Sequence, residues 1–310
     1  MRARRTLLRA GLAAGAVALA GWAAPPARAA GTLRVAYAGS MGVVMDRHLG
    51  PAFARASGAA YQGRGAGAYG LARLLAAGTI RTDVFVSITP GPIALLEKAG
   101  RVAHAVPIAS TAMVIAYSPK SRFAPAFAAA VRGGQPWYQV LLTPGLRFGR
   151  TDPLTDPQGQ NIIFLMKRAE QYYHRPGLAH AILGPWRNPA QIFSEPSLLS
   201  RLEAGQMDAS SAYESAAISH HLPFLTLPDA INLSDPAVVE QYAPGLAIAL
   251  EGANGKTTLH RPAPLVFYAA VLKNAPDPAL AARFLAFLRA PAGQAMLRKA
   301  GYGPPKGGGI

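Results

Sequence analysis

Residues 63–88 read GRGAGAYGLARLLAAGTIRTDVFVSI. Glycines lead into a helix with Leu71, Leu74 and Leu75 at helical spacing. A short β-rich run, Asp83–Ile88, follows and stops at Pro90-Gly91. Upstream, Leu33–Tyr37 reads as a strand that enters the loop Ala38-Gly39-Ser40-Met41-Gly42. Downstream, STAMVIAYS (110–118) is a third β-rich run. Strands alternating with helices predict parallel βαβ units and an α/β fold.

The second half repeats the theme less regularly. From 119 to 150 the chain is richer in Pro, Gly and Arg, and GRTDPLTDPQGQN (149–161) then opens a helix. Ile162, Leu165, Met166, Ala169, Tyr172 and Tyr173 follow the helical period. Leu198, Leu199 and Leu202 mark another helix that ends near Gly205. SAYES (211–215) and Leu265–Val271 read as strands, and the stretch from Pro278 to Lys299 as helix broken at Pro291. The tail GYGPPKGGGI is expected to be loose.

The first 29 residues are read separately. A basic start, an apolar Leu/Ala/Gly stretch and Ala27-Arg28-Ala29 form an export signal, and Arg4-Arg5 also suits the twin-arginine type. Without Arg2, Arg4, Arg5, Arg9 and Arg28, 26 basic residues face 15 acidic ones. That excess suits attraction of anions. The basic residues are scattered and form no stripe interleaved with aromatics, which argues against nucleic acid. The absence of cysteine excludes disulfides, thiol catalysis and Cys-ligated metals.

In open α/β sheets ligands lie beyond the carboxyl ends of strands. Three loops qualify: AGSMG, GAGAYG and DPQGQN. Ser40 admits a hydrolase nucleophile with His220, His221 or His260 as base, an oxyanion-binding hydroxyl, or a plain cap. GAGAYG lacks the Lys of a phosphate-cradling loop. Asp156 before Pro157 is a standard helix start, with a Thr155–Gln158 capping box as the alternative, and Asp152 reads as a turn residue. Pattern alone makes Asp156 a cap.

Several long segments together resemble the molybdate/tungstate-binding proteins of ABC importers, particularly the tungstate-type branch. AGS resembles that family's first oxyanion loop. GAGAYGLARLLAAGTIRTDVFVS resembles its second loop, helix and Asp-Val strand. LRFGRTDPLTDPQGQN resembles its Asp-Pro…Asp-Pro helix start. SLLSRLEAGQMDASSAYESAAISHHLPFLTLPDAINLSDP and KNAPDPALAARFLAFLRAPAGQAML resemble its later segments, so the likeness runs from about residue 33 to 300.

The resemblance implies a type II periplasmic-binding fold, two α/β lobes with mixed, mostly parallel sheets and a crossover hinge. Lobe 1 would hold 30–114 and 266–310, and lobe 2 would hold 115–265. Gly39, Ser40, Gly67 and Ala68 would bind ligand from one lobe, and Asp156, Gln158, Tyr213, Glu214 and Ser215 from the other. Asp156 and Glu214 would reach the molybdenum or tungsten atom of the bound oxyanion. The implied protein is a monomeric, extracytoplasmic receptor without enzymatic activity or cofactor that delivers its anion to an ABC permease. A sulfate- or phosphate-like anion is the alternative ligand, and a secreted serine hydrolase using Ser40 the alternative class. The chain departs from the family pattern at Ala68, at Gln158, Gln160 and Asn161, and at Ala212, where the family has Ser, Cys/Tyr/Arg and, by one alignment, Glu.

Overall fold

The computed structural model describes residues 31–252 and 255–310, so the export-signal reading of 1–29 lies outside the described residues. A first sheet orders β2 (Ala60–Ala66), β1 (Thr32–Ala38), β3 (Val84–Ile88), β11 (Val266–Val271) and β4 (Val106–Ser110). A second sheet orders β6 (Phe148–Gly149), β7 (Ala209–Tyr213), β5 (Met113–Tyr117) and β8 (Phe224–Thr226). β9 (Ile248–Glu251) and β10 (Thr257–His260) form a separate antiparallel ribbon.

The sheets are mixed and mostly parallel: four of the five strands in the first and three of the four in the second point the same way. β1 runs parallel to β2 and β3, and β6 to β7, as βαβ connections require. β11 and β5, next to the segments that cross between lobes, run antiparallel to their neighbours. The run 110–118 therefore is not one strand. Ser110 closes β4 in the first sheet, Thr111-Ala112 cross over, and Met113 and Val114 already belong to the second sheet.

β3, β5 and β7 are buried along their whole length, which is why their sequences are apolar or small instead of alternating. Burying a side chain such as Phe85 or Phe267 contributes roughly 1.5–3 kcal/mol. β2, by contrast, is a largely exposed edge strand built from the glycine-rich stretch that reads as helix lead-in. Its glycines admit the Tyr37 ring, because a Cβ at Gly65 would sit 2.7 Å from that ring's edge.

The tail is not loose. Gly303 and Ser110 exchange two backbone hydrogen bonds (3.0 and 2.9 Å), as do Ile310 and Ala105 (2.9 and 2.7 Å). Ser110 Oγ donates to the Pro304 carbonyl (2.7 Å), and Lys306 Nζ donates to the Ser234 carbonyl (2.7 Å). β4 is an edge strand with free backbone groups, and the tail satisfies them. Composition gives no hint of this, because the partner is a distant edge.

Candidate functional site

A pocket of about 400 Å³ lies between the lobes. Gly65, Ala66 and Gly67 wall it from the first lobe, and Thr151–Asp156 and Ile192–Pro196 supply residues from the second. The lobes meet tightly here. Gly70 N donates to the Thr155 carbonyl (3.0 Å) and Arg73 Nη1 to the Leu154 carbonyl (2.7 Å). Gly67 is needed for this approach, since a Cβ there would lie 2.6 Å from the Thr155 carbonyl oxygen.

Asp156 is the N-cap of the helix Pro157–Tyr172. Its backbone is extended, Pro157 takes the first helical position, and Oδ1 accepts from Gln158 N at 3.0 Å. Asp152 shapes the preceding turn: Oδ1 accepts from Leu154 N (2.9 Å), and its carbonyl accepts from the amides of Thr155 and Asp156. The capping bond leaves Asp156 with further acceptor capacity inside the pocket.

The second carboxylate is Glu195. It opens the helix Glu195–Ala204 behind the N-cap Ser194 and is 3% exposed. Its carboxylate accepts from the Ser40 backbone amide and from Gln158 Nε2 (3.0 Å). Gln158 Oε1 in turn accepts from Ser211 Oγ (2.9 Å), so a buried Ser211–Gln158–Glu195 relay fixes the orientation of the carboxylate. Gly39 lies against the same group, its missing Cβ only 3.2 Å from Oε2. The loop that carries Glu195 is moored by Arg150, which is fully buried. Its guanidinium donates to Gln191 Oε1 (3.1 Å) and to the carbonyls of Trp186 (2.8 Å) and Pro185 (2.9 Å).

Burial raises the Asp156 carboxyl to about 6, the Gln158 amide opposing and the Asp152 charge assisting. Glu195 is pushed well above the usual carboxylate range, first by burial and then by Asp156, against the bonds from Ser40 and Gln158. Arg150 bonds neither acid: its charge is set against Asp152, and its guanidinium donates to Gln191 and two carbonyls. Two buried acids thus share a pocket, and among the described residues no cation is paired to either.

Tyr213 is buried behind the two acids. Its hydroxyl accepts from Asn161 Nδ2 (3.0 Å), and its pKa is driven up by burial and by the charges of Asp156 and Glu195. Ser40 and Thr151 have buried hydroxyl oxygens without a partner, an arrangement that a ligand would satisfy. Ala68 begins the helix Ala68–Ala76 behind Gly67, so its amide is among those lacking an intrahelical acceptor.

Glu214 is elsewhere. It is half-buried and lines a different cavity, beside the crossover residues Thr111–Met113. β7 ends at Tyr213, so 211–215 is not all strand: Glu214 opens the helix Glu214–Ser219, and the chain has turned away from the Pro157 helix that Ser211 and Tyr213 bond. The two-residue alternation within β7 turns Ala212 from the pocket. The Ser215 amide donates to Thr111 Oγ1 (3.2 Å), while its buried hydroxyl lies beside Tyr302, whose own hydroxyl donates to the Ser40 carbonyl (3.3 Å). The structure therefore brings together Gly39, Ser40, Gly67, Ala68, Asp156, Gln158 and Tyr213, keeps Ser215 beside the Ser40 loop, and adds Glu195 and Thr151.

Among the described residues no histidine bonds Ser40. Ser40 Oγ is unbonded, His220 pairs with Glu203 (2.7 Å), His221 lines another cavity, and His260 packs on the Tyr69 ring. The hydrolase reading has no base to act on Ser40.

Two α/β lobes meeting over a buried pocket define a receptor of the periplasmic-binding fold. Residues 33–303 match the family model described as bacterial extracellular solute-binding protein, and the chain belongs to that family. It is 31% identical over 210 residues to the molybdate/tungstate-binding protein WtpA of Pyrococcus abyssi, covering 62% of this chain and 59% of that protein. It is 37% identical over 135 residues to a putative ABC transporter molybdenum-binding protein of Haloferax volcanii, covering 44% and 42%. The matches span 54–61% of the length of the first three curated relatives. Among solved structures, the periplasmic molybdate-binding protein of Azotobacter vinelandii superposes with a TM-score of 0.54 at 16% identity, covering 88% of this chain and all of that one. The sulfate-binding protein SubI of Mycobacterium tuberculosis gives 0.59 at 16%, covering 89% and 87%. Both share the fold. Among the described residues no helix is long and apolar enough to cross a membrane.

Proposed function

We propose that this chain is an extracytoplasmic receptor that captures molybdate or tungstate between its lobes and hands it to an ABC permease, with no covalent chemistry of its own. The observation that carries the reading is the buried, cation-free pair Asp156 and Glu195. A carboxylate about 4 Å from a dianion is repelled by roughly 4 kcal/mol per unit-charge pair at an effective dielectric near 20. A simple tetrahedral dianion would therefore fit badly beside two ionised acids. Molybdenum and tungsten are high-valent centres that accept additional hard oxygen donors, so the same carboxylates become ligands to a cation-like atom. Among the described residues no group of three or more His, Asp or Glu is placed to hold a metal ion. A metal held by this pair would bring its own oxo ligands. Ser40, Thr151 and the amides near Gly67 supply donors for those oxygens.

The raised carboxyls support a second reading. A protonated Glu195 would donate to a sulfate- or phosphate-like anion instead of repelling it. Calorimetric titration with tungstate, molybdate and sulfate, together with a metal-edge absorption spectrum, separates the two. The expected result is an expanded coordination sphere, with sulfate bound at least about tenfold more weakly. A strictly tetrahedral spectrum with equal sulfate affinity would sink the coordination reading.

A further inference from the structure

A second interlobe cavity, of about 480 Å³, shares no lining residue with the acidic pocket and has the opposite charge. Arg47, His48 and Arg55 reach it from the helical run that follows Ser40, Lys299 from the helix Pro291–Lys299, and His221 from the second lobe. No Asp or Glu lines it. None of these five side chains has a hydrogen-bond, ion-pair or ring partner among the described residues. The floor is apolar, formed by Val43, Ile218 and Met296.

Two backbone features shape the place. Arg47 and His48 sit in a single π-helical turn, Met45–Leu49, a rare insertion that recurs at functional sites. His221 holds a φ of 54° as the left-handed stop of the helix Glu214–Ser219, where Leu222 N donates back to the Ala217 carbonyl (2.9 Å), and this turn sets the ring at the cavity edge. Like charges converging without a counter-charge repel one another, and a cleft of one sign concentrates ions of the other. The volume lies in the range of small-molecule sites, and the apolar floor favours an organic body over a bare inorganic ion.

We propose that this cavity is a second ligand site, for a small organic anion with an apolar body that bridges the two lobes. Because Ile218 and His221 belong to one lobe and Arg47, Arg55 and Lys299 to the other, such a ligand touches both lobes at once.

The test is calorimetry of the full mature chain with phenyl phosphate, with and without saturating tungstate, using inorganic phosphate and benzyl alcohol as single-feature controls. Saturable binding is expected in both conditions, with each control at least about tenfold weaker. Arg47→Glu and, separately, His221→Glu are each expected to weaken it at least about tenfold, with the melting temperature unchanged. The absence of saturable binding overturns the proposal, as does displacement of phenyl phosphate by tungstate. Loss confined to one of the two variants overturns the bridging. None of these outcomes depends on which oxyanion the acidic pocket prefers.

Discussion

The first lobe meets the acidic pocket almost wholly with backbone: Gly39, the Ser40 amide, Gly67 and the Ala68 amide, with one free hydroxyl on Ser40. The second lobe brings Asp156, Glu195 and Tyr213, held by Gln158 and Asn161. One side offers partial positive charge from helix starts, the other two carboxyls whose pKa values burial has raised. A ligand that satisfies both has electronegative oxygens on one face and an electron-poor centre on the other. Neither a plain dianion nor a plain cation has that character.

The sharpest way to break this division is to neutralise the second lobe. Glu195→Gln and Asp156→Asn are each expected to weaken tungstate and molybdate binding at least about tenfold by calorimetry, while sulfate affinity holds or rises. Unchanged tungstate affinity in both would end the claim that the lobes play different roles.

Acidity gives the next largest effect. Coordination requires ionised carboxylates, so tungstate affinity is expected to fall as pH drops through about 6, the Asp156 value. An anion held by a protonated carboxyl would show the opposite slope. The empty protein should respond in the other sense. A carboxyl whose folded pKa is raised imposes no penalty below its unfolded value near 4 and its full penalty above about 6. Melting temperature without ligand is thus expected to fall as pH rises from about 4 to about 6, and loading with tungstate should suppress that fall.

Gly67→Ala probes the first lobe. Its Cβ would meet the Thr155 carbonyl at 2.6 Å, so closure is hindered while each lobe still folds. Overpacking of this kind costs about 1–3 kcal/mol, giving roughly five- to a hundredfold weaker binding and a more open particle by small-angle scattering. Ser211→Ala is the mildest change. It removes the donor to Gln158 Oε1 and should weaken tungstate binding only a fewfold, about 1 kcal/mol, by calorimetry.

Much of this was legible in the sequence. Alternating strands and helices gave the class, and loops at strand ends gave the first lobe's part of the pocket. Asp156 was readable as a cap because capping is local chemistry. Glu195 was not, since Ser194-Glu195-Pro196 looks like any helix start and its meeting with Ser40 is a tertiary event across 155 residues of chain. Glu214 misled for a related reason: SAYES reads as one strand, but the strand stops at Tyr213 and Glu214 begins a helix beside the crossover. β2 was hidden because glycine disfavours strands, and the reason for its glycines, the Tyr37 ring, lies on the neighbouring strand.

The bonds from Gly70 to Thr155 and from Arg73 to Leu154 sit at the rim, between the lobes. Both bonds span the lobes, so parting the lobes at this rim costs two backbone-carbonyl hydrogen bonds, of about 1 kcal/mol each, whichever ion the pocket takes.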